Sequence, residues 1–146
     1  MRQSWDEYFS TLARQVASRA TCDRLHVGCV IVRDKRILAT GYNGSLPGAD
    51  HCDDVGHLMM GGHCVATAHA ETNAVANAAR AGVSTMDSMA FVTHTPCWNC
   101  IKNLVAAGVK RIVFEIAYPN VETTHRPNLK VILENSGVEL RKLSDI

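Results

Sequence analysis

The second half of the sequence alternates short apolar runs with helical segments, and this alternation constrains the fold more than any other feature. Strands are predicted over 89–93, 111–116 and 138–140, and the helices predicted over 98–107 and 128–135 lie between them. A strand–helix–strand–helix–strand order is typical of parallel strands joined by right-handed crossovers. The sequence therefore predicts an α/β fold in which helices cover a sheet.

The first half of the sequence adds a helix, a hairpin, a loop and a further helix. Apolar residues recur at helical spacing over 5–19, and two β-branched runs, 27–32 and 37–42, flank a polar turn. Residues 43–66 show no sustained periodicity and are expected to form a long loop, after which an Ala-rich helix is predicted over 69–81. We expect a three-layer α/β/α arrangement of these elements around a mixed five-stranded sheet.

Length and composition indicate a single domain over residues 1–146. Of the 146 residues, 47% are hydrophobic and 20% are charged, which are ordinary values for a globular domain. Fifteen Lys and Arg nearly balance fourteen Asp and Glu, so the net charge of +1 gives no strong field for nucleic acid or an anionic membrane. No run approaches 18 apolar residues, and the N-terminus lacks the apolar core of a signal peptide. We therefore expect a cytoplasmic protein without a membrane or nucleic-acid partner.

Two Cys/His motifs stand at the starts of two predicted helices. His69-Ala70-Glu71 begins the Ala-rich helix, and Pro96-Cys97-Trp98-Asn99-Cys100 begins the next one. Cys97 and Cys100 fall on one helix face, and the positive end of a helix favours the thiolates that metal ligation requires. Together with His69 they offer three donors and leave a fourth tetrahedral position for water, which is the pattern of a catalytic zinc site.

Glu71 is the predicted proton carrier of this site. Two thiolates neutralise the charge of a zinc ion, so it acidifies its bound water less than a zinc ion held by three histidines would. A nearby carboxylate must therefore help to take the proton. Three other interpretations stay open: a redox dithiol, a closed structural zinc site with His94 as fourth ligand, and a core histidine beside a solvated glutamate. A redox dithiol does not account for the His-x-Glu motif.

His-x-Glu followed by Pro-Cys-x-x-Cys is the signature of zinc nucleobase deaminases. The whole chain resembles the deoxycytidylate (dCMP) deaminase family of the cytidine-deaminase superfamily, in its short bacterial or phage form. The resemblance implies zinc-dependent hydrolysis of dCMP to dUMP and ammonia, with Glu71 moving the protons, and a supply of dUMP for thymidylate synthesis. It also rests on Trp5, Tyr8-Phe9, Val27-Gly28, Gly41-Tyr42-Asn43-Gly44, Cys52-Asp53-Asp54, His63-Cys64 and Ala70-Glu71-x-Asn73-Ala74.

The same resemblance implies substrate and regulatory contacts. The backbone around Ala70 and the residue Thr95 would face the amide edge of the base, Asn43 would contact the sugar, and Tyr118 the sugar or phosphate. Arg80 would lie at a subunit interface near an effector site of a homo-oligomer, a hexamer, activated by dCTP and inhibited by dTTP. On the sequence alone, Asn43 is also a turn residue, Tyr118 an ordinary strand-end aromatic and Arg80 a solvated helix residue.

The remaining cysteines suggest a second, structural zinc. Thiols and imidazoles in a loop without periodicity indicate an ion that holds the loop together. In the resemblance, some phage members carry such a zinc on cysteines at positions matching Cys22 and Cys52, and the other ligands do not map cleanly. We expect His57 and Cys64 to complete the set, with His63 as the alternative. Unligated thiols in a packed loop are the other interpretation, and Cys29 fits the core.

Two further functions share some of these features. A tRNA adenosine deaminase has the same fold, motif and mechanism, but it is expected to present a basic surface that a net charge of +1 does not provide. A zinc module that binds nucleic acid without catalysis has no use for Glu71 beside an open metal position. The sequence therefore favours a deaminase acting on a nucleotide.

Overall fold

A mixed five-stranded sheet forms the centre of the protein, in a computed structural model that describes residues 1–118 and 127–146. Its strands are β1 (Gly28–Arg33), β2 (Arg36–Tyr42), β7 (Ser88–His94), β8 (Val109–Ile116) and β9 (Glu139–Lys142). Their order is β2-β1-β7-β8-β9; β1 is antiparallel to β2 and β7, whereas β7, β8 and β9 are parallel. The predicted mixed five-stranded α/β sheet is confirmed.

Helices cover both faces of this sheet. These helices are α1 (Trp5–Ala17), α3 (Ala70–Ala81), α4 (Trp98–Ala106) and α5 (Pro127–Asn135), whereas α2 (Cys52–Val55) lies in the segment between β2 and α3. A 3-10 turn over Leu143–Asp145 follows β9. On one face, Phe9 of α1 packs with Val30 and Phe91, and on the other face α3, α4 and α5 bury the alternate strand residues. No helix in the described part of the chain is long and apolar enough to cross a membrane.

The segment predicted as a loop over 43–66 is wrong in part, because it contains short ordered elements. These are β3 (Gly44–Ser45), α2, β4 (Met59–Met60) and β5 (His63–Cys64); β6 (Thr67–Ala68) follows and pairs with β3. Strands of two residues carry no measurable periodicity, so the sequence pattern could not indicate them. The other predicted elements differ from the observed ones by at most two residues at either end.

Arg111 ties the start of α1 to the sheet. Its guanidinium donates to both carboxylate oxygens of Asp6 at 2.8 and 3.2 Å and lies 3.3 Å from Glu139, and the hydrogen bond with Asp6 raises the pKa of Arg111. The Arg111 and Asp6 side chains are each only 22% exposed. Arg111 on β8 therefore joins the start of α1 to β9, and its contact with Asp6 lies largely out of water.

We expect Arg111→Met to lower the free energy of unfolding by about 1–3 kcal/mol, because Asp6 loses a charged partner in a half-buried position. Urea denaturation measures this loss. Arg141→Met is the matched control: Arg141 also pairs with Glu139, but both side chains are more than 40% exposed, so its loss should stay below ~1 kcal/mol. Equal effects of the two variants would contradict the prediction.

Candidate active site and metal clusters

The starts of α3 and α4 meet and bring one histidine and two cysteines together. His69 is the N-cap of α3, Cys97 is the N-cap of α4, and Cys100 lies in the first turn of α4. The ligand atoms of the three residues lie within 4.8 Å of one another, with His69 Nδ1 3.1 Å from Cys100 Sγ and 3.6 Å from Cys97 Sγ. We call these three residues the active-site cluster.

The electrostatics of the active-site cluster favour a bound cation. The hydrogen bond from the Cys100 thiol lowers the pKa of Cys97 to about 4, and His69 adds to this effect. The hydrogen bond with Cys97 raises the pKa of Cys100, as do burial and nearby Glu71, and the contact with Cys97 raises the pKa of His69. The Cys100 thiol proton thus lies among three converging ligand atoms, and a divalent cation bound there would displace it.

The donor set fits zinc. Two sulfurs and one imidazole nitrogen are ligands that zinc prefers, and three protein ligands leave the fourth tetrahedral position open. His94, the alternative fourth ligand, lies outside the cluster: its Nδ1 is 2.8 Å from Thr93 Oγ1. Among the described residues, the arrangement is therefore that of an open site and not of a closed structural one.

Glu71 lies buried beside the cluster, with only 4% of its surface exposed. Burial raises the pKa of its carboxyl group, and the Cys100 side chain is close enough to donate a hydrogen bond to it. A carboxyl group with a raised pKa takes and returns protons near neutral pH more readily than an exposed one. The position and environment of Glu71 thus suit proton transfer at an atom bound next to the cluster.

Strand β2 fixes the position of α3, which carries His69 and Glu71. A Cβ on Gly41 would collide with the backbone of Ala70 and Ala74, so only glycine lets α3 lie this close to β2. Asn73 and Asn77, one turn apart, donate at 2.8 Å to the carbonyls of Tyr42 and Thr40 on this edge strand. These contacts hold the first turn of α3 against the sheet.

We expect Gly41→Ala to destabilise the protein by about 1–3 kcal/mol, because the added methyl group must push α3 away from β2. Thermal unfolding measures the loss, and metal analysis should show weaker zinc retention because His69 moves with α3. Gly48→Ala serves as the control for glycine replacement: nothing lies within 4 Å of the added carbon there, although its positive φ adds some strain. Unchanged stability of Gly41→Ala would contradict the close contact.

The residues predicted to contact the base and the phosphate group lie at one end of the sheet. Ala70 is buried in the first turn of α3, and Thr95 is buried directly after β7. Thr95 Oγ1 accepts a hydrogen bond from Tyr118 N at 3.0 Å, and the exposed Tyr118 ring lies edge-on to His94 with 6.5 Å between centroids. The structure thus brings Thr95 and Tyr118 together where β7 and β8 end.

Asn43 and Arg80 are placed differently. Asn43 Oδ1 accepts from Val27 N at 2.7 Å and its Nδ2 donates to Leu25 O at 2.6 Å, so both ends of the amide already bind the segment before β1. Arg80 is exposed in the last turn of α3, where its charge complements the helix dipole. For both residues the structural interpretation has direct support, and the predicted ligand contacts remain predictions.

The four residues predicted to hold a second metal form a second cluster at the segment between β2 and α3. The ligand atoms of Cys22, Cys52, His57 and Cys64 lie within 4.8 Å of one another, whereas His51 and His63 are outside this group. Burial and the Cys22 contact raise the pKa of Cys52 to about 12. Although partial burial opposes it, hydrogen bonds from the Ala66 backbone and from His57 lower the pKa of Cys64 to about 7. We call these four residues the loop cluster, and three sulfurs with one nitrogen fit a closed zinc site.

The family assignment comes from comparison with known proteins. A family model described as the cytidine and deoxycytidylate deaminase zinc-binding region matches residues 3–116. The chain belongs to this family. Its fold and its His-x-Glu and Cys-x-x-Cys residues therefore have the context expected of a zinc-dependent deaminase.

Several relatives match nearly the whole chain. ComE operon protein 2 of Bacillus subtilis is 42% identical over 142 residues, covering 97% of this chain and 72% of that protein. The deoxycytidylate deaminase of Saccharomyces cerevisiae is 34% identical and covers 99% of the chain, which spans 46% of the yeast protein. A crystal structure of dCMP deaminase from cyanophage S-TIM5 with dCMP and dUMP is 30% identical, with a TM-score of 0.79 and coverage of 98% and 99% of the two chains.

Two polar residues near the clusters of this deaminase have roles that the sequence pattern does not predict. Asp23 lies 2.8 Å from His57 Nε2, so that the ring points its Nδ1 toward Cys22 at 3.4 Å, in the manner of carboxylates that orient metal-binding histidines. The sequence identifies Asn73 as part of the family motif, but it does not predict the contact of Asn73 with β2. The adjacency of Asp23 to Cys22 was the signal available for the first, and the one-turn spacing of Asn73 and Asn77 for the second.

Proposed function

We propose that the protein hydrolyses dCMP to dUMP and ammonia. The observation that carries this proposal is the buried Glu71 carboxyl beside three converging donors whose fourth position is open. Support for dCMP in particular comes from the yeast relative named deoxycytidylate deaminase and from the cyanophage enzyme in complex with dCMP and dUMP. The reaction replaces the C4 amino group of cytosine with the oxygen of water.

In the proposed reaction, His69, Cys97 and Cys100 would hold one zinc ion, which would supply Lewis-acid activation of a water molecule. The Glu71 carboxylate takes a proton from water as the water oxygen bonds to C4, and it delivers this proton to N3 of the ring. It then moves the second proton to the departing C4 amino group, which leaves as ammonia. The backbone at Ala70 and the Thr95 side chain would orient the amide edge of the base, and Asn43 and Tyr118 would bind the sugar and phosphate.

An ammonia-release assay tests the proposed substrate. We would compare dCMP, dCTP, CMP, deoxycytidine and a tRNA anticodon stem, each with zinc-loaded protein. The highest kcat/KM is expected for dCMP. Ammonia release from the tRNA stem and none from dCMP would replace this function with adenosine deamination on RNA.

The loop cluster is proposed to hold a second, structural zinc. Four donors from Cys22, Cys52, His57 and Cys64 leave no open position, and structural zinc sites are closed in this way. Asp23 would orient His57 as a ligand. The proposed enzyme thus carries one zinc ion for catalysis and one that holds the loop between β2 and α3.

Assembly and control are proposed from the family as well: a hexamer, with dCTP as activator, dTTP as inhibitor and Arg80 near the effector site. Arg80 is exposed and therefore open to another subunit or a triphosphate. Light scattering gives the subunit number, and initial rates with each triphosphate give the response. A monomer with hyperbolic kinetics that ignore both triphosphates, in wild type and Arg80→Ala alike, would overturn this part.

A further inference from the structure

Thr21 lies between the loop cluster and the short strand pair β3–β6. Its carbonyl oxygen accepts hydrogen bonds from Cys52 Sγ at 3.2 Å and from Asp53 N at 3.3 Å. Its side-chain Oγ1 accepts from Ser45 N at 3.0 Å. One residue therefore binds the loop cluster through its backbone and β3 through its side chain.

Strand β3 is in turn connected to the active-site cluster. Gly44 and Ser45 of β3 pair with Ala68 and Thr67 of β6, and the residue after β6 is His69. His69 therefore directly follows β6, and the partner strand β3 is held by the hydrogen bond from Ser45 to Thr21. We call the β3–β6 pair the ribbon. A continuous series of hydrogen bonds leads from Asp53, the residue after Cys52, to the backbone next to His69.

We propose that Thr21 is a positioning residue that couples the loop cluster to the active-site cluster. With metal in the loop cluster, the Cys52 thiolate is a ligand and no longer donates to Thr21, but Asp53 N still donates to the Thr21 carbonyl. Thr21 and the β3–β6 ribbon are thereby held, and His69 stays in place as a ligand. Filling the loop site therefore slows the loss of metal from the active site. This inference rests on the proposed second zinc site.

The contribution of Thr21 is separate from the contacts that hold α3. Gly41, Asn73 and Asn77 fix the helix after His69, whereas the ribbon fixes the backbone before it. The position of His69, at the N-cap of α3, depends on the backbone both before and after it. Losing the hold on one side should loosen the metal without unfolding the site.

The test compares metal release from Thr21→Val, which lacks Oγ1, with release from Thr21→Ser, which keeps it. Zinc-loaded proteins are mixed with excess chromogenic chelator, and the active-site phase is the one that parallels loss of deaminase activity. Amide hydrogen exchange over 44–45 and 67–68 reports on the ribbon independently of activity. Thr85→Val is the matched control, since Thr85 Oγ1 also makes one hydrogen bond, to Ala107 O at 2.6 Å. Thr85 lies just before the start of β7, whereas Cys97 and Cys100 follow the end of that strand.

Thr21→Val is expected to release active-site zinc about five- to tenfold faster and to exchange the ribbon amides faster, as the loss of one hydrogen bond predicts. Thr21→Ser and Thr85→Val should stay near wild type. In the Cys52→Ser background, adding Thr21→Val should change release less than about twofold, because both changes break one path.

Suppose that wild-type protein holds two zinc ions per chain. Zinc release from Thr21→Val at the rate of Thr85→Val, or effects that multiply in the double variant, would then overturn the coupling. A wild-type protein that holds only one zinc would instead overturn the second site, and the coupling with it. The metal count thus separates the two failures.

Discussion

Glu71→Gln is expected to lower kcat by about 10²–10⁴-fold, the usual range for losing a positioned proton carrier. The amide has nearly the same shape as the carboxyl group and fits the same buried position, but it cannot take a proton from water. Because Glu71 is not among the converging donors, zinc content and thermal unfolding should stay at wild-type values. Steady-state kinetics with dCMP on the zinc-loaded variant measure the loss.

The control for this variant is Glu134→Gln, which makes the same chemical change on the exposed surface of α5. Its kcat should equal that of wild type. Combining Glu71→Gln with Cys97→Ser should cost little more than the worse single change, since the metal and the carboxylate act on one water molecule. Wild-type turnover by purified, zinc-loaded Glu71→Gln would remove Glu71 from the mechanism.

The active-site cluster could be predicted because its information is local. Cys97 and Cys100 share a helix face by spacing alone, and His69 and Glu71 stand at another helix start, so only the meeting of the two helices required the fold. The alternation of strands and helices includes α4 but not α3, so only the metal chemistry shared by the two motifs indicated that meeting.

Contacts between distant segments could not be predicted in the same way. Thr21 binds residues 24 and 31 positions away along the chain, and Asn73 reaches a carbonyl 31 positions away. No periodicity or spacing rule connects such pairs, because each depends on where two separately folded pieces come to lie. Asn43 illustrates the reverse case: its type and its place before Gly44 fitted a ligand contact and a turn equally well, and only its two bonds to the segment before β1 show a structural use.

The loop between β2 and α3 depends on side-chain ligands more than on a core. Leu58, Met59 and Met60 are all exposed, while Cys22 and Cys52 are each only 2% exposed. Its regular elements are two to four residues long, too short to be stable by themselves. A metal ion that joins four of its side chains would supply the order that apolar packing does not.

Cys52→Ser is therefore expected to lower the zinc content from about two ions to about one per chain, since a closed structural site needs all four ligands. The variant should also lose about 3 kcal/mol of stability, because the loop loses its ion and the Cys22 thiol stays buried without it. That corresponds to a fall in Tm of roughly 10 °C for a chain of this size. Metal analysis of protein purified without chelator gives the first quantity, and calorimetry the second.

Cys29→Ala is the control for losing a buried thiol. Cys29 lies in the apolar core with no exposed surface and belongs to neither cluster, so this variant should keep two zinc ions while losing some packing. The comparison separates the loss of a ligand from the loss of a buried side chain. About one zinc ion per chain in wild type, unchanged in Cys52→Ser, would mean that the loop cluster holds no metal and that its thiols serve packing alone.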